Sequence, residues 1–337
     1  MSFSTTLPHD ATERADVQTS HVSDAESPLV SAATPTNPVL VALHGSVPAD
    51  EPIVAIGARA AVACGVPLQL LSVLPAMVAA PAPRGSAAAA RRERDETLLL
   101  DRSLLENTLR VQLGRLFRDA TTTMTPPPYS IRVVSGDPDR VLPTLTAPTN
   151  ATAMVIGRSI ASSDISSLYS LVQSLRSTRV CHTARIPIIV VGTAEASEPF
   201  ATVVIATDFS APSWEAATMA TRLAAPGAHI HVVHVHPNDP LARRSWYQDA
   251  MRAALTGWAQ SLAALAPHGV QFHVAALTGY PYAELRDYMR TVGATALAVG
   301  GHAFERNTVT APGYTLPERF LSTWSGSIVL GPSAMDA

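Results

Sequence analysis

The sequence predicts an α/β protein built from two doubly wound parallel-sheet domains in tandem. Its 337 residues, 47% of them hydrophobic, are enough for two domains of ordinary size, each with its own core. Short runs of Val, Ile and Leu alternate with Ala-rich helical segments, a pattern typical of parallel sheets that carry helices on both faces. The order strand, helix, strand opens both halves of the chain, so we expect a duplicated fold.

The two halves begin with equivalent elements. The apolar runs at residues 38–46 and 201–210 predict the opening strands, and an Ala-rich helical pattern follows each of them. The next predicted strands lie at 68–73 and 230–235. Each half therefore starts as a strand-helix-strand unit, which is the building block of a parallel sheet.

A constant offset of 143 residues relates the later parts of the two halves. It carries Gly136 onto Gly279, each in a Gly-x-Pro turn before a predicted helix, and Gly157 onto Gly300, each at the end of an apolar strand. Because one register holds for two separate features, we interpret the chain as a duplication. Halves that match strand for strand would support this interpretation, whereas one continuous sheet would count against it.

Composition marks the boundaries of these units. Residues 1–36 are polar and acidic and have no apolar segment, so we expect a disordered tail rather than a secretion signal. The first domain is predicted at 37–194 and the second at 199–333, with a short linker between them. Within the first domain, residues 91–120 place Leu at helical spacing among Arg and Glu, which predicts a long inserted helix.

The composition also excludes several kinds of chemistry. All 24 basic residues are Arg, so the chain lacks the Lys that P-loop NTPases, pyridoxal enzymes and Schiff-base aldolases need. With 27 acidic residues the net charge is −3, so we expect neither nucleic acid nor a membrane surface as a partner. Two cysteines, Cys64 and Cys181, are too few for a disulfide scaffold and suit a reducing cytoplasm.

These elements, in this order, resemble two copies of the universal stress protein (UspA-like) domain over about residues 38–333. The similarity lies in the opening strand that ends Thr207-Asp208-Phe209-Ser210, in the second strand with His234-Val235, and in the Gly-x-Pro turns and strand-end glycines described above. The resemblance implies a Rossmann-like fold of the adenine nucleotide alpha hydrolase type. It also implies a non-catalytic, regulatory role in a stress response.

The same resemblance implies a partly retained site for ATP, with Mg²⁺, in the second domain. In the ATP-binding members an Asp at the first strand end, backbone after the second strand and a glycine-rich loop hold the nucleotide at a helix N-terminus, where small residues admit phosphates. Ala303 stands here where the loop's second glycine is expected, and bulkier residues fill 302–312. The matching positions are Asp208, Val235, Gly300, Gly301, Gly313 and Thr315.

The first domain departs further from this pattern, so we expect no nucleotide there. His44 stands at the position of the Asp, and Ile160 stands at the second glycine. Ser174-Leu175 occupies the final Gly-Ser/Thr position. A β-branched side chain such as that of Ile160 blocks the close approach of a phosphate to the backbone.

Structural roles remain open for several of these residues. Asp208 followed by Ser210 at a strand-to-helix junction is also a good helix cap. His229 and His231 share one face of a strand and His234 and His236 the other, with no supporting carboxylate, so we expect a pH-dependent contact rather than a metal site. Cys64 and Cys181 are interpreted as small apolar residues rather than nucleophiles.

We expect no catalytic residue, because the chain has no G-x-S-x-G elbow, no HExxH motif and no evident pair of carboxylates. Slow ATP hydrolysis in the second domain stays an alternative, and nucleotidyl transfer is disfavoured because an HxGH-type motif is missing.

The resemblance also implies an intramolecular pseudo-dimer, in which residues 188–191 lie beside 328–330 and bury edges that would otherwise aggregate. A further homodimer and an unidentified regulatory protein remain open as partners.

Overall fold

The first half of the chain is an alternation of short apolar strands and helices in the computed structural model. The structure describes residues 37–43, 47–74, 127–135, 138–146, 151–158, 184–193, 198–236, 244–301 and 315–332, with four isolated helical positions between 103 and 111. The elements of the first half are β1 (Val39–Leu43), α1 (Val47–Cys64), β2 (Leu68–Leu74), β3 (Tyr129–Ser135), α2 (Pro138–Leu145), β4 (Ala153–Gly157) and β5 (Ile188–Val191).

The second half repeats this alternation with longer helices. Its elements are β6 (Thr202–Ala206), α3 (Ala211–Leu223), β7 (His229–His236), α4 (Ser245–Ala263), β8 (Gln271–Thr278), α5 (Pro281–Val292), β9 (Ala296–Val299), α6 (Leu316–Thr323) and β10 (Ser327–Leu330). β1, β4 and β5, like β9 and β10, are buried along their whole length, which explains why their sequences are continuous apolar runs rather than alternating ones.

The strands form one sheet in the order β3-β2-β1-β4-β5-β10-β9-β6-β7-β8. The strands within each half are parallel to their neighbours, and the order of the second half mirrors that of the first. This arrangement confirms the α/β fold class, with a doubly wound parallel sheet in each half. The halves match strand for strand, as the duplication predicts.

The two halves meet where their last strands pair. β5 and β10 run antiparallel, with Val190 opposite Ile328 and Ile188 opposite Leu330, so these strands lie side by side as expected. The expectation that a continuous sheet would count against a duplication was wrong. Edge-to-edge pairing joins two complete sheets into one sheet while leaving each half intact, and it removes an exposed edge from both.

Helices cover both faces of the sheet, and each face carries one apolar cluster that contains residues of both halves. On one face Ala60 of α1 and Ala220 of α3 are fully buried together with residues of α4. On the other face Leu285 of α5 and Phe320 of α6 lie in the second cluster. The core therefore continues across the junction between the halves.

Polar contacts reinforce this junction beside α1, which packs against α3. Arg59 donates to the carboxylate of Glu198 over 2.6 Å between Nη1 and Oε1. Arg222 of α3 donates to the sulfur of Cys64 over 3.7 Å. Cys64 is half-buried. The thiol lies at the contact between the two halves.

Several predictions fall outside the described residues. The tail at 1–36 and Cys181 are among them. Of the helix predicted at 91–120 only Ser103, Asn107, Arg110 and Val111 are described, and all four are helical and exposed. Within the described part of the chain, no helix has the length and apolar character needed to cross a membrane.

Candidate functional site

The candidate site lies where the strand order of the second half reverses. β6 pairs with β7 on one side and with β9 on the other, so the chain leaves β6 in one direction and returns to its opposite flank. In open α/β sheets such a point, at the carboxyl ends of the strands, forms a crevice that binds ligands. We call this edge the second switch point; Asp208 follows β6 there, and Gly300 follows β9.

Asp208 is hydrogen-bonded by Ser210, the residue directly before α3. Its Oδ1 atom accepts the backbone N–H of Ser210 at 3.0 Å and also the hydroxyl of Ser210. Burial alone would raise the pKa of Asp208, but these bonds and one with Ser213 outweigh it and hold the pKa below its usual value. The carboxylate is therefore ionised at neutral pH and serves as an acceptor.

Ser210 caps α3, as the sequence alternative proposed for this pair. Its hydroxyl oxygen accepts the backbone N–H of Ser213 at 3.3 Å, and the hydroxyl of Ser213 donates back to the Ser210 carbonyl at 2.8 Å. Asp208 thus orients a helix cap as well as facing the switch point. The structure gives this residue a structural role, which coexists with any contact to a ligand.

The turn between Asp208 and Ser210 carries Phe209 in a left-handed conformation, with φ of 63°. Non-glycine residues adopt this region uncommonly, and here the hydroxyl of Thr207 accepts the Phe209 N–H at 2.9 Å. The ring of Phe209 lies 5.2 Å from that of His234 and 5.5 Å from that of Trp258. Sequence reasoning missed this aromatic wall, which lines the turn next to Asp208.

His234 is fixed by the same turn. Its Nδ1 atom lies 2.8 Å from the Thr207 carbonyl, which can only accept, so Nδ1 carries the proton. Burial lowers the pKa of His234 and outweighs the opposing effect of that bond, so the ring is neutral at pH 7. Val235, the neighbouring predicted residue, is half-buried and pairs with Leu277 of β8.

Gly300 and Gly301 are required by packing. A Cβ atom on Gly300 would lie 2.8 Å from the backbone nitrogen of Ser213, and one on Gly301 would lie 2.6 Å from the carbonyl oxygen of Gly331. Both distances are too short for a side chain. These glycines let the end of β9 approach α3 and the residue after β10, whether or not a ligand is bound.

Thr315 stands directly before α6 and is engaged there. Its backbone N–H and its hydroxyl both donate to Oε2 of Glu318, at 2.7 and 2.8 Å. This is a capping box, in which the N-cap residue and the third helical residue hold each other. A phosphate contact from Thr315 would have to compete with a carboxylate, and Gly313 lies outside the described residues.

The described residues therefore fit an ATP molecule in part. An ionised carboxylate, the N-terminus of α3 and a glycine backbone come together at one edge, as nucleotide binding requires. The hydroxyl of Thr315, which would contact a phosphate, already donates to the carboxylate of Glu318. The match is better for Asp208 and Gly300 than for the phosphate end of the loop.

The first half differs at the equivalent edge, between β1 and β4, which we call the first switch point. Gly157 pairs with Val191 at the end of β5, but the next residue is Arg158, where the second half has Gly301. Two guanidinium nitrogens of Arg158, Nε and Nη2, are buried without a hydrogen-bond partner among the described residues. Burial lowers the pKa of Arg158 to about 10.

The substitutions predicted to disable the first half cannot be placed. His44, Ile160, Ser174 and Leu175 all lie outside the described residues. Arg158 was missed, although the constant offset of 143 residues already aligned it with Gly301.

The histidines of β7 divide between the two faces of the sheet as predicted. His231 contacts Tyr288 of α5 at 3.0 Å, whereas His234 contacts the turn on the opposite face. A further residue, His273 of β8, was missed: it bonds His229 at 3.1 Å and stacks on His231. Within the described ranges, no three or more metal-ligating side chains converge on one point.

Comparisons with known proteins agree with this architecture. The model of the universal stress protein family matches residues 35–192 and again residues 199–311. The chain belongs to the universal stress protein family. No curated protein sequence matches it.

Solved structures of universal stress proteins are similar to this chain. One from Archaeoglobus fulgidus, at 15% identity and a TM-score of 0.59, covers 89% of this chain and 98% of its own. UspA from Lactobacillus plantarum, at 15% identity and a TM-score of 0.30, covers 39% of this chain and 97% of its own. A universal stress protein in complex with cAMP, at 18% identity and a TM-score of 0.32, covers 40% and 97%. The first of these shows the tandem fold.

Proposed function

We propose that this universal stress protein is a non-catalytic regulatory module of the cytoplasm that binds ATP, with Mg²⁺, in its second half only. The observation that carries the proposal is the arrangement at the second switch point. There an ionised Asp208, the N-terminus of α3 and the backbone of Gly300 lie at one edge of the sheet. Changes in bound nucleotide would then alter which surfaces a protein partner meets.

The chemistry of the same edge favours binding over turnover. A general base needs a pKa near the working pH, and the pKa of Asp208 is lowered rather than raised. His234 has its Nδ1 proton committed to the Thr207 carbonyl. Neither group is tuned to activate water, so ATP should be held rather than rapidly hydrolysed.

Isothermal titration of the full chain with ATP and Mg²⁺ tests the proposal. We expect saturable binding that Asp208→Asn weakens about tenfold or more, since a hydrogen bond to a charged group contributes about 1.5–3 kcal/mol. Asp249→Asn, which removes an exposed carboxylate on α4, is the matched control and should bind as the unmodified chain does. Equal affinity for all three proteins, or no binding, would refute the proposed site.

Two further measurements separate the alternatives. Phosphate release under saturating ATP distinguishes a binding module from a slow ATPase, because only the latter releases phosphate that Asp208→Asn abolishes. Mass spectrometry of the supernatant from denatured protein shows whether an adenine nucleotide is purified with the chain. Titration with cAMP, the ligand of one similar structure, tests whether the site needs a triphosphate.

A further inference from the structure

Arg158 is fixed at the first switch point by its own backbone. It follows β4 directly, and its N–H donates to the carbonyl of Val191 at 3.2 Å. β4 lies between β1 and β5, so the residue stands at the edge where the strand order of the first half reverses. This is the first-half counterpart of the edge that carries Gly300 and Gly301.

The side chain of Arg158 has unsatisfied hydrogen-bond donors. Its Nε and Nη2 atoms are buried and have no partner among the described residues. The N–H bonds of these two nitrogens lie along one edge of the guanidinium and point the same way, which is the geometry that binds two oxygens of one anion. A buried cation that lacks such an anion is energetically costly.

A second arginine, Arg286, shows how the Nε and Nη2 atoms of a guanidinium are ordinarily hydrogen-bonded. The Nε and Nη2 atoms of Arg286 both donate to Oδ1 of Asp287, at 3.1 and 3.0 Å. Arg286 is exposed and could be hydrated instead, yet its fork is paired. The Nε and Nη2 atoms of Arg158 are buried, so they have the greater need of an acceptor, and among the described residues none supplies one.

No ion pair links Arg158 to a carboxylate of the described residues. Burial lowers the pKa of Arg158, and no charged group in the described part of the chain opposes this effect.

We propose that Arg158 anchors an oxyanion site for a phosphate group in the first half, separate from the ATP site of the second half. The phosphate is either free inorganic phosphate or the phosphate of a nucleoside monophosphate, and Arg158 binds two of its oxygens through Nε and Nη2. An arginine thereby takes over, by charge, the phosphate contact that a glycine backbone makes elsewhere. The site does not depend on ATP binding in the second half.

Titrations of the full chain with inorganic phosphate, AMP and adenosine test this proposal. The chain carrying Asp208→Asn serves as the background, so that binding in the second half contributes less. We expect saturable phosphate binding that Arg158→Gln weakens at least tenfold, that Arg158→Lys restores only in part because an ammonium lacks the fork, and that Arg252→Gln on the exposed face of α4 leaves unchanged. Adenosine should not bind through Arg158.

The comparison of ligands identifies the source of the phosphate group. Phosphate and AMP binding equally indicates that free phosphate is sufficient, whereas AMP binding much more tightly indicates a nucleotide. Phosphate binding that Arg158→Gln leaves intact would overturn the proposal, as would binding of acetate in preference to phosphate.

Thermal unfolding provides a readout that does not depend on the stability of the glutamine variant. Arg158→Met keeps the length of the side chain and removes its buried charge. We expect phosphate to raise the Tm of the Asp208→Asn chain and to leave that of the Arg158→Met chain unchanged. A phosphate-independent Tm in both proteins would show that the arginine has no anion to bind.

Discussion

Gly300 lies against Ser213, so closely that a Cβ atom on the glycine would be 2.8 Å from the serine's backbone nitrogen. This contact places the end of β9 on the first turn of α3, the turn that Ser210 caps. The glycine is therefore needed by the fold before any nucleotide is considered. Its role in binding has to be tested together with its role in packing.

Gly300→Ala should destabilise the chain by about 1–3 kcal/mol, because the added methyl group overpacks a contact made by backbone atoms that cannot rotate away. Urea unfolding followed by circular dichroism measures this loss. Gly257→Ala is the matched control: a Cβ there meets no atom within 4 Å, and alanine in a helix interior should stabilise by up to about 1 kcal/mol. Equal stabilities for the two variants would contradict the packing argument.

Ser210→Ala should lower the free energy of unfolding by about 1 kcal/mol, because the side-chain cap of α3 is lost. It should also raise the pKa of Asp208, since Ser210 is the main donor to that carboxylate. Ser261→Ala on the exposed face of α4 is the control, with a change expected within about 0.5 kcal/mol. A neutral effect of Ser210→Ala in urea unfolding would rule out the cap.

The free energy of unfolding should decrease as the pH is lowered from about 6.5 to about 4, because of His231. Burial, followed by the nearby His273 and His229, lowers its pKa to about 4. The unfolded chain takes up the proton first, so the contribution is complete above pH 6.5 and is lost as the pH falls towards 4. After discounting for the partly exposed ring, we expect a loss of about 1–2 kcal/mol.

His231→Gln should flatten this dependence of stability on pH, since an amide can replace the imidazole beside Tyr288 without titrating. His268→Gln removes an exposed histidine and is the control. The pKa of His234 is also lowered, and this residue contributes equally to the pH dependence of stability in both variants. Urea midpoints measured from pH 4 to pH 8 provide the comparison, and identical slopes for both variants would assign the effect to another group.

Glu318→Gln should strengthen ATP binding a few-fold. Glutamine still fits a capping box, so α6 keeps its start, but the negative charge next to Thr315 is removed. Glu284→Gln, in the first turn of α5, removes an equivalent charge from another helix and should have no effect. If both variants bind ATP alike, the phosphates do not approach Thr315.

The sequence predicted what depends on periodicity and repetition. Fully buried strands such as β4 and β9 were found because they are continuous apolar runs, and the duplication was found because one offset relates them. The capping box of Thr315 was overlooked although the spacing Thr-x-x-Glu already indicates it. His273 could not be found, because its contacts with His229 and His231 depend on the register of β7 and β8, which only the folded sheet defines.

The candidate site was predicted less completely than the fold, since the same residues serve both packing and binding. Asp208 supports a helix cap, and Gly300 accommodates a neighbouring backbone. A sequence pattern cannot separate these roles, because both require a small or acidic residue at the same strand end.

The number of ATP molecules bound per chain tests the central claim most directly. Equilibrium dialysis of the full chain against labelled ATP and Mg²⁺ should give one bound molecule per chain at saturation, whereas the chain carrying Asp208→Asn should reach half-occupancy only at an ATP concentration about tenfold higher or more. Two molecules per chain, or one whose affinity Asp208→Asn leaves unchanged, would contradict a single ATP site in the second half.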